Sequence, residues 1–464
     1  MHKVFSFLKL HYARLAVCLI TLTAALLRFH KLGAWSFWGD EVFSLSNKPD
    51  GFMLSLSTRL IHAAIAFWGA NEFSARLFPA LIGIATIPIL YNLTAQIFGR
   101  QAGVISSALL AVSHWHIYWS QNARFYVLLL LFYTLAMVYF YLGIEKNRPT
   151  LLLLSLMFLG LAVQERLLAL FLLPVMVIYL ILLFILPFKR PAGLNLRNLL
   201  IYFAPGVIAA ALIIAPYLGG LDQWMAGFGL VNSDPLWIFS GFIYYVGIPV
   251  ICLGGLGMVY LLLKRNRAGL FFGLGAVVPL LGITFLSPFH YTANRYIFIS
   301  LTSWVILASV AAYELFQQQK GEARLLAVGV FAILLATSMS EDYLYFSYQN
   351  GNRENWRAAI EFVRERQIEG DRVYIGNADV GDYYMGRRTI PMEKFKADQI
   401  ALNDHRIWFI EDFTLGERLP NVQAWIQANA QQKASFDVIV RGRYFTMKVY
   451  LYDPACKVIQ CASQ

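Results

Sequence analysis

Charge is scarce in this chain. Asp, Glu, Lys and Arg make up only 14% of the 464 residues, against 58% hydrophobic. A soluble globular chain is roughly a quarter charged, so a molecule dissolved mainly in water is excluded and one whose solvent is largely lipid is indicated. Cysteine is also sparse, with four in all, which excludes a disulfide-dense scaffold. Cys18 and Cys252 fall in apolar stretches, where packing is the expected role. Cys456 and Cys461 stand close together in PACKVIQC. Outside the membrane they form a candidate disulfide, and otherwise they are two free thiols. No further Cys or His nearby completes a zinc site. Acidic residues are fewer than basic ones, 27 against 38, giving a net charge of +11. No nucleic-acid motif accompanies that excess. The basic residues sit in short clusters between apolar runs, which fits attraction to anionic lipid rather than to nucleic acid. The first apolar run lacks a small-residue cleavage site, so it reads as a span and not as a removed signal.

A spanning helix needs roughly 20 mainly apolar residues. Such runs lie near 12–30, 77–97, 102–119, 125–143, 149–163, 167–187, 199–217, 236–263, 269–286, 296–315 and 324–340, which predicts about eleven spans. With the N-terminus inside, every inner loop carries a Lys or Arg: Lys3, Lys9 and Arg14; Arg100; Lys146 and Arg148; Lys189, Arg190 and Arg197; Lys264, Arg265 and Arg267; Lys320 and Arg324. That agrees with the positive-inside rule at each step, and one missed span would invert everything after it. Eleven spans put the C-terminus outside. The expected division is a membrane unit over 1–340 and a polar α/β unit over 341–464. In the second, NWRAAIEFVRER places Trp356, Ile360 and Val363 on one helical face. DRVYIG and RIWFIED read as short buried strands, PNVQAWIQANA as a helix, and SFDVIVRGRYFTMKVYLYD as two strands around Arg441-Gly442-Arg443.

Polar residues concentrate in the outer loops. The first runs over about 31–76 and contains WSFWGDEVFSL, with Asp40 and Glu41 adjacent between Trp38 and Phe43. Ionised groups beside hydrocarbon are costly and point to function; the plainer reading is a solvated acid pair in an interfacial aromatic belt. The second, HWHIYWSQNARFY at 114–126, offers Arg124, a planar cation suited to phosphate, or else a snorkelling anchor. In VQERLL at 163–168, Glu165 and Arg166 interrupt an apolar stretch at a tight hairpin. They pair with each other, or Glu165 serves as a second acid or metal ligand beside Asp40. SPFHYTANRYIF at 287–298 supplies His290, Tyr291, Arg295 and Tyr296. Asp222 and Asp234 lie in the remaining long outer loop, with no assigned role. Acids, His and Arg thus gather on one face, while the inner loops are merely basic.

Taken in order, these segments resemble the C-type glycosyltransferase (GT-C) superfamily, in particular the protein O-mannosyltransferases and the aminoarabinose (lipid A) transferases. RFHKLGAWSFWGDEVFSL is similar to that superfamily's first outer loop, and GANEFSARLFPALIG to the segment that follows it. SHWHIYWSQNARFYVLLL and NRYIFISL resemble its later Arg-Tyr stretches. ENWRAAIEFVRER followed by GDRVYIG resembles the soluble tail of many bacterial members. One departure stands out. Many relatives carry His-Pro-Pro-Leu-Tyr after the acidic pair, where this chain reads GFMLSLSTRLIHAAIAFWG, with His62 as the only substitute.

The resemblance implies a polytopic helical enzyme of a bacterial cytoplasmic (inner) membrane with an extracytoplasmic C-terminal unit. It would move a sugar from a polyprenyl-phosphate donor to a protein, lipid or glycan acceptor hydroxyl, with inversion. Asp40 is then the expected general base, with Glu41 orienting it or sharing a divalent metal ion with Glu165. Arg124 and Arg295 are expected on the donor phosphate, and Tyr126, Tyr296 and His62 in the substrate site. The rival readings are a transporter or flippase of lipid-linked sugars and a non-catalytic polysaccharide-assembly protein. A transporter is expected to show repeated halves and helices broken at the midplane, and no repeat is visible here.

Overall fold

The computed structural model describes residues 2–45, 55–214, 234–290, 292–318, 321–397, 405–440 and 443–454. Cys456, Cys461, Tyr291, Asp222 and the Arg441-Gly442 pair lie outside them, as do residues 46–54 of the first outer loop. The chain is mostly helical, with a small strand-bearing region at its C-terminal end.

Among the described residues, six helical segments are long and apolar enough to cross a membrane: Tyr12–Phe29, Glu72–Phe98, Tyr126–Lys146, Leu167–Ile185, Arg267–Leu286 and Asn294–Gln317. A seventh arises if Pro235–Val246 and Ile248–Leu263, bent by 93°, form one span. The expected count of eleven is not reached on these criteria. Two of the apolar runs are not straight: the 102–119 run breaks between Arg100–Ala111 and His114–Ser120, and the 236–263 run turns at Gly247. The bend requires that glycine, because its φ is +86°, a region that costs other residues. Asp234 caps the helix after it by accepting from the Leu236 amide, 2.9 Å away, which gives this residue a structural role.

The helix Tyr126–Lys146 is apolar on every side and almost wholly buried, as expected of a helix in the middle of a bundle. Outer helices turn apolar faces outward instead. Leu15, Leu19, Leu22 and Leu26 are exposed along one stripe of the first helix, a surface only lipid solvates well. The same geometry corrects the reading of Cys18 and Cys252. Both are exposed, since an apolar position on a lipid-facing helix need not be packed inside the protein. At the end of the bundle away from Asp40, Arg267 pairs with Glu145 at 2.6 Å and donates to the Lys189 carbonyl. The helix ends there are therefore tied together.

The last long helix, Glu322–Ser347, continues past residue 340. After it, the helix Trp356–Arg366 buries Trp356, Ala359, Ile360 and Val363, the spacing of one face. It is capped by Asn355, whose side chain accepts from the Ala358 amide. It packs against a five-stranded sheet in the order β2-β1-β3-β7-β4, with β1 Arg372–Ile375, β2 Ile390–Pro391, β3 Ile407–Glu411, β4 Gln431–Phe436 and β7 Met447–Tyr452. β1 runs parallel to β2 and β3, while β7 runs antiparallel to β3 and β4. The stretch expected as two strands around Arg441-Gly442-Arg443 is more divided. β5 Ile439–Val440 and β6 Arg443–Tyr444 form a separate small hairpin between β4 and β7.

Candidate functional site

The helix Gly39–Leu45 begins with the acidic pair, and its two carboxylates meet different surroundings. Glu41 points inward and is fully buried. Arg76 grips it from two nitrogens, Nε at 2.8 Å and Nη2 at 2.7 Å, and the Ala123 amide donates at 2.8 Å. Burial pushes the Glu41 pKa up, but Arg353, Arg76 and the amide together hold it below the ordinary carboxylate value. The remaining N–H groups of Arg76 go to the carbonyls of Leu32, Trp35 and Ser36. One guanidinium thus ties the acid to the turn before it. This geometry fixes Glu41 beside Asp40.

Asp40, the neighbour of that anchored residue, faces outward and is about a third exposed. Its Oδ2 lies 3.5 Å from Arg295 and 3.9 Å from Arg124, and it accepts no hydrogen bond. Arg124 is held in place by its 2.8 Å bonds to the Asp40 carbonyl and to Ser44 Oγ. Arg295 sits over the Trp38 ring, 5.9 Å from its centroid, and Trp38 donates to Asn122 at 2.8 Å. Three residues from three separate stretches of sequence, Asp40, Arg124 and Arg295, therefore converge.

The other expected residues are placed as follows. Tyr126 is buried and packs against Trp119 at a centroid distance of 4.0 Å. Tyr296 shares the short turn Asn294–Ser300 with Arg295 and packs on the main core. The His62 Nε2 lies 3.0 Å from the Ser44 carbonyl, joining the helix Leu56–Trp68 to the acidic helix. Glu165 accepts from the amide and hydroxyl of Ser57, at the start of that same helix. Arg166 stacks on Phe125. Among the described residues, no three His, Cys, Asp or Glu side chains converge as metal ligands, and Glu165 is engaged at Ser57.

Several contributors had no role assigned from the sequence. Arg28 is fully buried and donates to the carbonyls of Ala24, Leu110 and Ala111. Arg353, also buried, donates to the Gln121 carbonyl at 2.8 Å and reaches to 4.0 Å from Glu41. The next residue, Glu354, is partly buried and accepts from Ser36 through its carbonyl. Burial, reinforced by Asp412, pushes its pKa up to about 7. Arg353 and Glu354 line a cavity with Trp38 and Arg295. The C-terminal unit reaches the acidic helix elsewhere too. The Tyr384 hydroxyl accepts from the Phe37 amide at 2.6 Å, and Arg357 pairs with Glu72.

The dolichyl-phosphate-mannose-protein mannosyltransferase family matches this chain over residues 51–218, less than half its length. No curated protein sequence matches the chain. Among solved structures, ArnT from Cupriavidus metallidurans in the apo state aligns with a TM-score of 0.60 at 12% identity, covering 94% of this chain and 97% of that one. The same protein bound to undecaprenyl phosphate gives 0.57, with the same identity and coverage. The archaeal oligosaccharyltransferase AglB from Archaeoglobus fulgidus, in complex with an inhibitory peptide and a dolichol-phosphate, gives 0.59 at 12% identity over 95% of this chain and 74% of that one. This multi-pass membrane chain has the fold of the C-type glycosyltransferases and resembles the protein O-mannosyltransferases and ArnT.

Proposed function

We propose that the chain transfers a sugar from a polyprenyl-phosphate donor to an acceptor hydroxyl at the outer face of a bacterial cytoplasmic membrane. The observation that carries this reading is the partly exposed Asp40 carboxylate flanked by Arg124 and Arg295. Such a transfer needs a base for the acceptor's proton and positive charge for the departing phosphate. The Asp40 carboxylate takes the proton. The acceptor oxygen attacks the anomeric carbon, the bond from that carbon to the phosphate oxygen breaks, and configuration inverts. The two guanidinium groups meet the phosphate, a geometry Arg suits better than Lys. ArnT with undecaprenyl phosphate and AglB with a dolichol-phosphate support a lipid phosphate as the donor's carrier.

In this reading the membrane unit presents the donor, and the C-terminal unit, outside the membrane, faces the acceptor. Glu41 positions the base. Tyr126, Tyr296 and His62 shape the surroundings of the site.

The test uses the purified protein in lipid with a panel of polyprenyl-phosphate sugars, reading release of free polyprenyl phosphate. Release by the wild type and its loss in a folded Asp40→Asn variant is the expected result. Equal release by both removes Asp40 as the base. Movement of intact lipid-linked sugar between leaflets, with no release, makes the protein a flippase.

A further inference from the structure

The turn before the acidic helix has both carbonyls and amides to satisfy. The carbonyls of Leu32, Trp35 and Ser36 go to Arg76. The Phe37 amide cannot, because a guanidinium has donors only. Phe37 is fully buried, so its N–H needs an acceptor brought from elsewhere. That acceptor is the Tyr384 hydroxyl, 2.6 Å away and 347 residues later in the chain. The same hydroxyl donates to Glu72 Oε1 at 2.5 Å, and Arg357 donates to that oxygen as well.

Glu72 and Arg76 stand one helical turn apart at the start of the helix Glu72–Phe98, on one face. That single turn anchors the acidic segment twice. Arg76 holds Glu41 and the carbonyls directly. Glu72 holds the Phe37 amide through Tyr384.

Tyr384 is itself firmly seated. It lies in the helix Ala378–Met385, whose Val380 and Met385 are buried in the core of the C-terminal unit. A β-carbon at Gly381 would stand 3.0 Å from Ile375 of β1, so helix and sheet are in close contact. Asp382 accepts from the amide and hydroxyl of Thr389 at 2.6 and 2.8 Å. At the other end, Asn377 caps the helix by accepting from the Val380 amide and stands against Gly39. Val42 of the acidic helix packs on the same core. The contacts with Phe37, Gly39 and Val42 bracket Asp40 on both sides.

We propose that Tyr384 is a positioning residue for the base. Its hydroxyl fixes the Phe37 amide, and with it the direction in which the following helix presents the Asp40 carboxylate. Tyr384 touches neither substrate in this role. The C-terminal unit thereby contributes to the rate of reaction as well as to the stability of the chain. The contribution to rate rests on the transfer reading, whereas the fixing of the turn does not.

The test uses the full-length protein in lipid nanodiscs. Tyr384→Phe removes the hydroxyl and keeps the ring. Tyr383→Phe is the comparison. The Tyr383 hydroxyl donates to the Ala70 carbonyl at 3.0 Å, so its loss removes a contact between the same two units without freeing the Phe37 amide. In assays of polyprenyl phosphate release, Tyr384→Phe is expected to lower kcat about tenfold with KM for the donor unchanged, because small misplacements of a reacting group are costly. Tyr383→Phe is expected to match the wild type. Hydrogen exchange, followed by mass spectrometry over residues 35–42, is expected to quicken about tenfold in Tyr384→Phe, as one protecting hydrogen bond is lost, and to stay unchanged in Tyr383→Phe. If Tyr384→Phe does not fold, Glu72→Gln carries the test. It weakens the bond that orients the hydroxyl and is expected to shift kcat and exchange in the same directions by less. A lowered Tm with unchanged kcat, equal effects of the two tyrosine variants, or unchanged exchange over the turn overturns the proposal. No release by the wild type from any donor overturns the transfer reading alone, and the exchange rates then still decide whether the hydroxyl fixes the turn.

Discussion

Every N–H group of Arg76 has an oxygen to meet: both carboxylate oxygens of Glu41 and three carbonyls of the turn 32–36. Removing it leaves a buried carboxylate and those carbonyls unpaired, so Arg76→Ala is expected to cost about 3–5 kcal/mol. Thermal unfolding in detergent measures this, with Arg76→Lys recovering little because a point charge cannot replace a fork. Glu41 adds a pH dependence. Its pKa is depressed in the folded protein, so its contribution is present above the ordinary carboxylate value and is lost as pH falls through the folded one. Acid unfolding checks the sign, and Glu41→Gln should flatten that limb. At Asp40's other neighbours, Arg124→Lys and Arg295→Lys are expected to raise KM for the lipid donor about tenfold while leaving the fold intact. Asp40, Arg124 and Arg295 were legible in the sequence because costly charges stood in loops beside aromatic belts. Arg76 and Arg353 were not. Each looks like an ordinary surface cation until its long-range partner is known, and Arg353 stands 232 residues from the Gln121 carbonyl it serves.

Helices were legible as apolar runs, since hydrocarbon leaves the backbone few alternatives. Their breaks were less so. The bend at Gly247 and the interruption at Val112–Ser113 both lie inside continuous hydrophobicity, where composition carries no marker of direction. A β-carbon at Gly247 meets a backbone of φ +86°, so Gly247→Ala is expected to cost about 1–2 kcal/mol, read as a lowered Tm. Glu165 also acts on this scale. Its carboxylate receives the Ser57 amide at a helix start, where negative charge is favourable. Glu165→Gln is expected to cost about 1 kcal/mol and to leave activity unresponsive to chelators, as in the wild type. A large chelator effect in the wild type, lost in the variant, would return Glu165 to the metal role.

The two units of the molecule are joined at the acidic helix. A β-carbon at Gly39 would stand 2.5 Å from the Asn377 amide, so the C-terminal unit closes directly on the residue before Asp40. The alternation of helix and strand in the sequence pointed to strands at this end of the chain, but could not show what they touch. Its docking also carries a titration. The Glu354 pKa is raised to about 7, so its contribution to stability is full below the ordinary carboxylate value and is lost as pH rises through about 7. Glu354→Gln should keep Tm level between pH 5 and 8, where the wild type declines.

Ser36 and Glu354, joined at 2.8 Å, are 318 residues apart in the chain, with almost all the membrane helices made between them. A ribosome releases the acidic pair early and its last fastening late. A partly synthesised, membrane-inserted chain would therefore hold Glu41 without Arg353 beside it. The transfer proposed above would then wait until the segment carrying Arg353 and Glu354 has docked on the turn before Asp40.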